Sequence, residues 1–267
     1  MSQPWVPFDD RGLAYGDGVF ETILLYQGRP MLWAHHVKRL FEGCRRLAID
    51  PPDETALAAT WQAPSGSEWE VLKIIVTRGS GGRGYAVPDV AAPRLMSRRV
   101  PFQSDPQAWR QGVSVRVCSV RLARQPRLAG IKHLNRLENV LARQEWQTSA
   151  YREGLLADSH DLVVEATSMN LFWQQGGRIM TPDLDQCGVA GTLRAALIEA
   201  QHVVPAQLAL DELAAVDRLW LANSVQGVWP ISELWSSEGA CLRRWQPPKH
   251  DPLQAVAHPL LGFPAAP

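Results

Sequence analysis

The spacing of apolar and polar residues divides the first hundred positions into strands and helices. The segment VFETILLY is rich in β-forming residues, the turn residues QGRP follow it, and MLW then returns, which predicts a hairpin. From Ala34 to Leu47, apolar residues recur every three or four positions, which predicts an amphipathic helix. A further helix is expected around residues 53–62, and EVLKIIVTRG and APRLMSRRVPF predict strands on either side of a glycine-rich loop.

The later residues repeat this mixture. GVSVRVCSVRLA alternates in strand fashion, and the helix expected after residue 132 presents Leu134, Leu137, Val140 and Leu141 on one face. EGLLADSHDLVVEATSMNLFWQQGGRIMTPD predicts three short strands, and RLWLANSVQGVWPI predicts two strands around a turn. GVAGTLRAALIEA predicts a helix that starts after a glycine, whereas the proline-rich tail is expected to be irregular.

A polar stretch that contains a proline, QSDPQ, is the best candidate for a domain boundary. It predicts a smaller N-terminal α/β domain over residues 1–103, a linker over 104–109 and a larger C-terminal α/β domain over 110–267. The predicted fold class is therefore α+β, or mixed α/β, in two domains.

Composition excludes several classes of protein. The chain of 267 residues has 27 basic and 27 acidic residues, so its net charge of zero gives no electrostatic footprint for nucleic acid or an anionic membrane. The four cysteines are far apart and lack metal-type spacing, which predicts free thiols in a reducing compartment and no metal site. We find neither a signal-peptide pattern nor an apolar stretch approaching the ~20 residues of a membrane span, so a soluble, cytoplasmic protein is expected.

Lysine is rare in this chain, and one lysine stands in unusual company. Only Lys38, Lys73, Lys132 and Lys249 are lysines; the other basic residues are arginines. Lys132 lies beside His133, and a lysine buried next to other cations becomes a nucleophile that forms Schiff bases. A surface lysine near a helix start is the ordinary alternative.

Two segments suit a phosphate group. In GVAGTLRAALIEA the backbone amides of Gly191, Thr192 and Leu193 would stand at the positive end of a helix dipole. Arg39 in HHVKRL lies at the edge of an apolar stripe, from which its guanidinium can reach inward to a phosphate. A well-capped helix and a solvated surface charge are the ordinary alternatives.

Two other segments suit a ring nitrogen and a carboxylate. Glu165 ends a β-branched run and precedes small polar residues, which makes it a candidate partner for a ring nitrogen or a cation. Arg83 and Tyr85 stand in the glycine-rich segment TRGSGGRGY, which lacks the GK[ST] of a P-loop and could bind a carboxylate. A strand-end charge and a plain hairpin loop are the alternatives.

The order of these segments along the chain is more specific than any one of them. DRGLAYGDGVFET, HHVKRL, TRGSGGRGY, GIKHLNRLENV, VVEATSMNLFW, TPDLDQCGVAGTLR and LANSVQGVWPI together resemble the class IV (fold type IV) pyridoxal-phosphate enzymes. That family includes D-amino-acid and branched-chain aminotransferases and the aminodeoxychorismate lyases, and RGSGGRGY and LAGIKHLNRLE resemble the lyases in particular. The resemblance runs from about Asp10 to about Ile231.

The resemblance implies a D-amino-acid-aminotransferase-like two-domain fold, a homodimer and roles for individual residues. Lys132, in the C-terminal domain, would be the catalytic residue that binds pyridoxal 5'-phosphate covalently, and Glu165 would pair with its ring nitrogen. The residues implied to hold the phosphate or lie in the same shell are Arg39, Thr192, Leu193, Ser224, Ser168, Asn170 and Asn223. Arg83 and Tyr85 would bind a substrate carboxylate, with Tyr85 in place of a histidine and Phe20 in place of a tyrosine common in the transaminases.

The implied activity is that of a 4-amino-4-deoxychorismate lyase of folate biosynthesis, which forms 4-aminobenzoate and pyruvate by β-elimination. A class IV aminotransferase acting on D-amino or branched-chain amino acids is the alternative, since it would use the same Lys132, Arg39 and Glu165. A non-catalytic protein on the same scaffold is a third, and it would be expected to have lost Lys132 or Glu165, both of which are present.

Overall fold

The computed structural model describes residues 5–64 and 66–264, which form two compact units. The first contains the residues up to Gln103 together with Ile131–Arg136. The second contains Ser104–Gly130 and the residues from Leu137 onward. Both units combine helices with a sheet, in agreement with the predicted α+β class.

The first unit is built on an antiparallel sheet of four strands in the order β2-β1-β3-β4. The strands are β1 (Gly18–Tyr26), β2 (Arg29–Pro30), β3 (Trp69–Thr77) and β4 (Arg94–Pro101). The helices are α1 (Arg11–Tyr15), α2 (Trp33–Leu47) and α3 (Glu54–Gln62). The helices predicted from Ala34 to Leu47 and around 53–62 are thereby confirmed.

The core of this unit lies where α2 packs on the sheet. Leu40 and Cys44, on the apolar stripe of α2, are buried in one cluster with Ile23 of β1 and Leu72 of β3. The helix forms because this stripe repeats at helical spacing, so its burial stabilises both the helix and the sheet beneath it.

The second unit contains nine strands, four α-helices and two 3-10 helices in the described residues. Its strands are β5 (Val113–Leu122), β6 (Glu153–Asp158), β7 (Val163–Ala166), β8 (Asn170–Gln175), β9 (Arg178–Pro182), β10 (Val204–Ala206), β11 (Arg218–Asn223), β12 (Gly227–Trp235) and β13 (Cys241–Arg244). Its α-helices are α4 (Pro106–Gln111), α5 (Leu137–Gln144), α6 (Thr192–Glu199) and α7 (Pro252–Ala257), of which α4 is a short element ahead of β5. Two 3-10 helices span Leu210–Ala215 and Pro259–Leu261.

The strands of the second unit close on themselves. The sheet runs β10-β9-β8-β11-β12-β5-β6-β7, and an additional pairing of β7 with β8 joins its end back to its interior. Glu165 and Asn170 are the register partners at this closure. The closure therefore places two residues singled out in the sequence side by side.

Several local expectations differ from the structure. The stretch expected as a linker over 104–109 includes the start of α4, whose N-cap Asp105 accepts a hydrogen bond from Ala108 N. The segment expected to hold three strands holds four, β6 to β9. The tail is not irregular, because Asp251 caps α7 and Pro252 occupies its first turn, where a missing N–H costs nothing.

The helix expected after Lys132 also differs. Helix α5 begins only at Leu137, so Leu134 lies outside it. Leu137, Val140 and Leu141 do share a face, but that face is exposed, Leu137 to 75%. The apolar spacing was correct, yet this face does not contribute to the core of the chain.

The segment Ile131–Arg136 groups by its contacts with the first unit, whereas the sequence interpretation placed Lys132 in the C-terminal domain. The reason is a short strand-like pairing with β1. Phe20 N donates to Lys132 O at 2.9 Å, Leu134 N donates to Gly18 O at 3.0 Å, and His133 bridges to Val19. Backbone hydrogen bonds to a distant strand thus decide where Lys132 packs.

Among the described residues, no helix combines the length and apolar character needed to cross a bilayer. The four cysteines are free thiols, three of them buried. Burial raises the pKa of Cys44 to about 11.

Leu72 provides a test of the core of the first unit. Leu72→Ala should lower the free energy of unfolding by about 2–5 kcal/mol, because the side chain is fully buried and its removal leaves a cavity. The matched control is Leu242→Ala on exposed β13, where we expect a change within about 0.5 kcal/mol. Urea unfolding of both variants measures the difference, and equal midpoints would contradict this description of the core.

Candidate active site

Lys132 lies against the ring of Phe20. Its Nζ is 4.5 Å from the ring centroid, and the main chains of the two residues are hydrogen bonded. Lys73, on the neighbouring strand β3, places its own Nζ 5.3 Å from the same ring. Two ammonium groups therefore face one aromatic side chain, an arrangement that concentrates positive charge and attracts anionic ligands.

A buried ion cluster holds Arg39. Glu21 is 1% exposed: its Oε1 accepts from Arg39 Nε at 2.7 Å, and its Oε2 accepts from Arg39 Nη2 at 2.5 Å. His36 Nδ1 lies 2.6 Å from the same Oε2. Burial favours a raised pKa for Glu21, but the charges of Arg39 and His36 outweigh it and lower the pKa to about 2. Glu21 is therefore ionised, and its bidentate contact fixes the plane of the Arg39 guanidinium.

Glu21 was not singled out in the sequence. The signal available was a lone acid inside the apolar strand segment VFETILLY. A charge at such a position is buried only when it is paired, so it points to a partner elsewhere in the chain.

Glu165 and Asn170 both bind the main chain of Val189 in the second unit. Val189 N donates to Glu165 Oε2 at 2.9 Å, and Asn170 Nδ2 donates to Val189 O at 2.8 Å. Both side chains are buried. The loop that leads into α6 is thereby fixed to the closure of the sheet.

Helix α6 begins at a glycine that is packed closely against the Asn170 side chain. Gly191 is its N-cap, and a β-carbon there would lie 1.9 Å from Asn170 Oδ1. Thr192 and Leu193, the first two residues of the helix, are buried. The first turn has no side-chain cap at Gly191, and its amides provide the positive end of the helix dipole.

Ser168 is oriented by a carboxylate that the sequence analysis missed. Buried Glu153 accepts hydrogen bonds from the hydroxyls of both Thr167 and Ser168. Asn223 Nδ2 donates to Ser168 O at 3.2 Å. Glu153 is the first residue of β6, and nothing near it in the sequence indicates that it accepts hydrogen bonds from residues 14 and 15 positions later.

Asn223 ends β11, and Ser224 begins the turn that follows it. Asn223 Oδ1 accepts from Val225 N at 2.9 Å and from Gln226 N at 2.7 Å, which fixes this turn. Ser224 is buried. The hydrogen bond from Asn223 to Ser168 O connects this turn to the Ser168 segment.

Arg83 and Tyr85 lie in the exposed loop between β3 and β4. Tyr85 is 87% exposed, and its ring packs edge-on against Tyr15 with centroids 5.4 Å apart. Within the described residues, the Arg83 guanidinium is exposed and makes no hydrogen bond or ion pair. It is available to an anionic ligand.

The candidate residues thus form separate groups. Lys132, Phe20 and Arg39 belong to the first unit, as do Arg83 and Tyr85 in their loop. Glu165, Asn170, Thr192 and Leu193 form one group in the second unit, and Ser168, Asn223 and Ser224 form another. In the described part of the chain, no group of three or more His, Cys, Asp or Glu side chains could hold a metal ion.

Comparison with known proteins decides the family. The family model for class IV amino-transferases matches residues 18–234, which include segments of both units. The chain belongs to the class IV aminotransferase family. The class IV match includes Lys132, Glu165 and Arg39 as well as the turn with Asn223 and Ser224.

Individual relatives lie within this family. An aminodeoxychorismate lyase from Vibrio harveyi is 36% identical over 245 residues, which cover 89% of this chain and 90% of the relative. The crystal structure of 4-amino-4-deoxychorismate lyase from Pseudomonas aeruginosa is 43% identical, with a TM-score of 0.83 and coverage of 92% and 91%. A putative branched-chain-amino-acid aminotransferase from Methanocaldococcus jannaschii is 29% identical, with coverage of 84% and 81%. These similarities confirm a class IV fold of the predicted α+β type.

His133, next to Lys132, gives the protein a predictable response to acid. Burial, and then the charges of Arg136 and Arg46, lower the pKa of His133 to about 3. The unfolded chain binds the proton below about pH 6.5, so the stability held by neutral His133 is present above that pH. It is lost as the pH falls from about 6.5 towards 3.

We therefore expect the urea midpoint to fall between pH 7 and pH 5, and to fall less in His133→Asn. His250→Asn, at an exposed position, is the matched control and should follow the wild type. Unfolding curves at both pH values measure the slopes. A His133→Asn slope as steep as that of the wild type would show that His133 does not titrate in this way.

Proposed function

We propose that this chain is a pyridoxal-phosphate-dependent 4-amino-4-deoxychorismate lyase that forms 4-aminobenzoate and pyruvate in folate biosynthesis. The observation that carries the proposal is the 36% and 43% identity to aminodeoxychorismate lyases across some nine tenths of each chain. The putative aminotransferase relative is less similar, at 29%. The retained Lys132, Glu165 and Arg39 support an active enzyme over a non-catalytic scaffold.

The donor set suits pyridoxal phosphate. The N-terminus of α6 at Gly191 suits the phosphate, as does the guanidinium of Arg39, whose plane Glu21 fixes. Buried Glu165 suits a protonated ring nitrogen, which needs an anionic partner. Thr192, Leu193, Ser168, Asn170, Asn223 and Ser224 complete the proposed binding residues, and Lys132 is the residue that joins the cofactor covalently.

When bound, pyridoxal phosphate supplies an electron sink for the carbon that bears the substrate amine. The neutral Lys132 amine takes the proton from that carbon. The C–O bond on the neighbouring carbon then breaks, enolpyruvate leaves and becomes pyruvate on protonation, and the six-membered ring becomes aromatic. No second amino acid is required, because the amino group stays on the product.

The substrate carries two carboxylates, and the first unit offers cations for them. The exposed guanidinium of Arg83 is one proposed partner, with the Tyr85 hydroxyl beside it in the loop. Lys73, which shares the Phe20 ring with Lys132, is a second. Phe20 itself offers no hydroxyl, which fits a substrate that differs from those of the transaminases.

We propose a homodimer in a reducing, cytoplasmic compartment. Exposed apolar side chains support the dimer: Phe8 is 95% exposed in the first unit, and Trp5, Val87 and Val90 are exposed there as well. In the second unit, the α5 face of Leu137, Val140 and Leu141 is exposed too. Large apolar side chains exposed on a protein surface often mark an interface. Four free cysteines support the compartment.

A paired assay tests the activity. Purified protein loaded with pyridoxal phosphate should convert 4-amino-4-deoxychorismate into equal amounts of pyruvate and 4-aminobenzoate without an added amino acceptor. D-Alanine or leucine with 2-oxoglutarate should give little amino transfer. Amino transfer without the two lyase products would move the chain to the aminotransferases, which use the same Lys132.

Lys132→Ala should lower turnover at least about a hundredfold, because the residue that transfers the proton is absent. The fold should persist, since the main-chain hydrogen bonds of residues 132 and 134 to β1 do not involve the side chain. Lys249→Ala, at an exposed position, is the matched control and should keep full activity. Absorbance of the bound cofactor and circular dichroism accompany the assay, and an active Lys132→Ala protein would refute the assignment.

A further inference from the structure

The glycine-rich loop that carries Arg83 and Tyr85 folds around the side chain of Arg11. Arg11 Nη1 donates to the carbonyls of Gly84 and Ala86 at 3.1 Å and more weakly to that of Gly81 at 3.4 Å. Arg11 Nη2 donates to Tyr85 O at 3.4 Å. Four carbonyls of residues 81–86 therefore converge on one guanidinium, which is 4% exposed.

The loop has little structure of its own to maintain this shape. In the described structure, the main-chain hydrogen bond internal to residues 80–86 joins Ala86 N to Arg83 O. Gly81, Gly82 and Gly84 all have positive φ, and glycine has the most conformational freedom to lose. Without a cation among them, carbonyl dipoles that point at one another would repel, so the loop depends on Arg11 for its conformation.

Arg11 is itself held rigidly. Its Nε donates to Asp17 Oδ2 at 2.9 Å, and Asp17 also accepts from Arg78 Nε at 2.7 Å and Nη2 at 2.9 Å. Arg78 donates in turn to Leu47 O and Ala48 O at the end of α2. The chain of contacts connects the exposed loop to the packed helix of the first unit.

We propose that Arg11 is a positioning residue for substrate recognition, which acts by fixing the loop of residues 80–86 so that Arg83 is presented to a substrate carboxylate. The inference rests on the proposed function for the identity of the substrate. The role assigned to Arg11 does not include contact with substrate or cofactor. Its effect passes through Arg83.

Arg11→Lys is the informative variant, because it keeps the charge beside Asp17. A lysine has three donors on one nitrogen and cannot reach Asp17 and four carbonyls together. We expect KM for 4-amino-4-deoxychorismate to rise about tenfold to a hundredfold with kcat little changed, as for a misplaced binding group. The spectrum of the bound cofactor should stay as in the wild type.

A second variant disturbs the loop without altering the buried charge. A β-carbon at Gly82 would lie 2.4 Å from Ala86 O and 3.1 Å from Arg11 Nη1, so Gly82→Ala should displace the loop and reproduce the KM effect. Arg45→Lys is the matched control, since Arg45 is exposed on α2 and pairs with Glu42. It should leave both kinetic constants unchanged.

A double-mutant cycle tests whether Arg11 acts through Arg83. In the Arg83→Ala background, adding Arg11→Lys should cause no further rise in KM, because the group that Arg11 positions is already absent. Independent effects that multiply in the double variant would overturn the proposal. An Arg11→Lys effect on kcat alone would overturn it as well.

Limited proteolysis provides a readout that needs no substrate. Trypsin cleavage after Arg83, identified by mass spectrometry, should be faster in Arg11→Lys and Gly82→Ala than in the wild type or Arg45→Lys. Unchanged cleavage and unchanged KM would refute the role of Arg11 even if the wild type is a lyase. If the two variants are cleaved faster but the wild-type protein has no lyase activity, the proposed function is refuted and the loop-fixing role of Arg11 remains supported.

Discussion

The cost of burying a carboxylate governs how this chain arranges its candidate site residues. A buried carboxylate is tolerated only when donors surround it, so each one determines where its donors must lie. Glu21 fixes Arg39, Glu153 fixes the hydroxyl of Ser168, and Glu165 fixes the peptide of Val189. Asp17 fixes Arg11 in the same way. The positions of the proposed ligand-binding residues therefore depend on the carboxylates that bind them or their neighbours.

The two units use this constraint differently. In the first unit, the carboxylates of Glu21 and Asp17 form ion pairs with arginines. These ion pairs hold the long arginine side chains in fixed positions. In the second unit, Glu165 accepts from the backbone and Glu153 from hydroxyls, so the acids organise loops and turns.

The proposed functional positions also lie at junctions in the regular structure. Lys132 stands in a short strand-like segment, Glu165 at the single register pair that closes the strands of the second unit, and Gly191 at the start of α6. At such points the backbone amides and carbonyls are not all used by a helix or a ladder, and side chains take their place. In the loop that contains Arg83, the backbone carbonyls likewise accept from a side chain, that of Arg11.

The sequence by itself determined the elements with strong local periodicity and the family. Short-range patterns predict the apolar stripe of α2, the strands β3 and β5 and the glycine before α6. The order of the segments along the chain indicates the family. Tertiary structure alone decided that Lys132 packs with β1, that the apolar face of α5 is exposed, and that Glu21, Glu153 and Arg11 organise other residues. The physical reason is range: periodicity shows that a face is apolar, whereas burial and ionic pairing depend on partners that are far away along the chain, 70 to 75 positions for Arg11 and its loop.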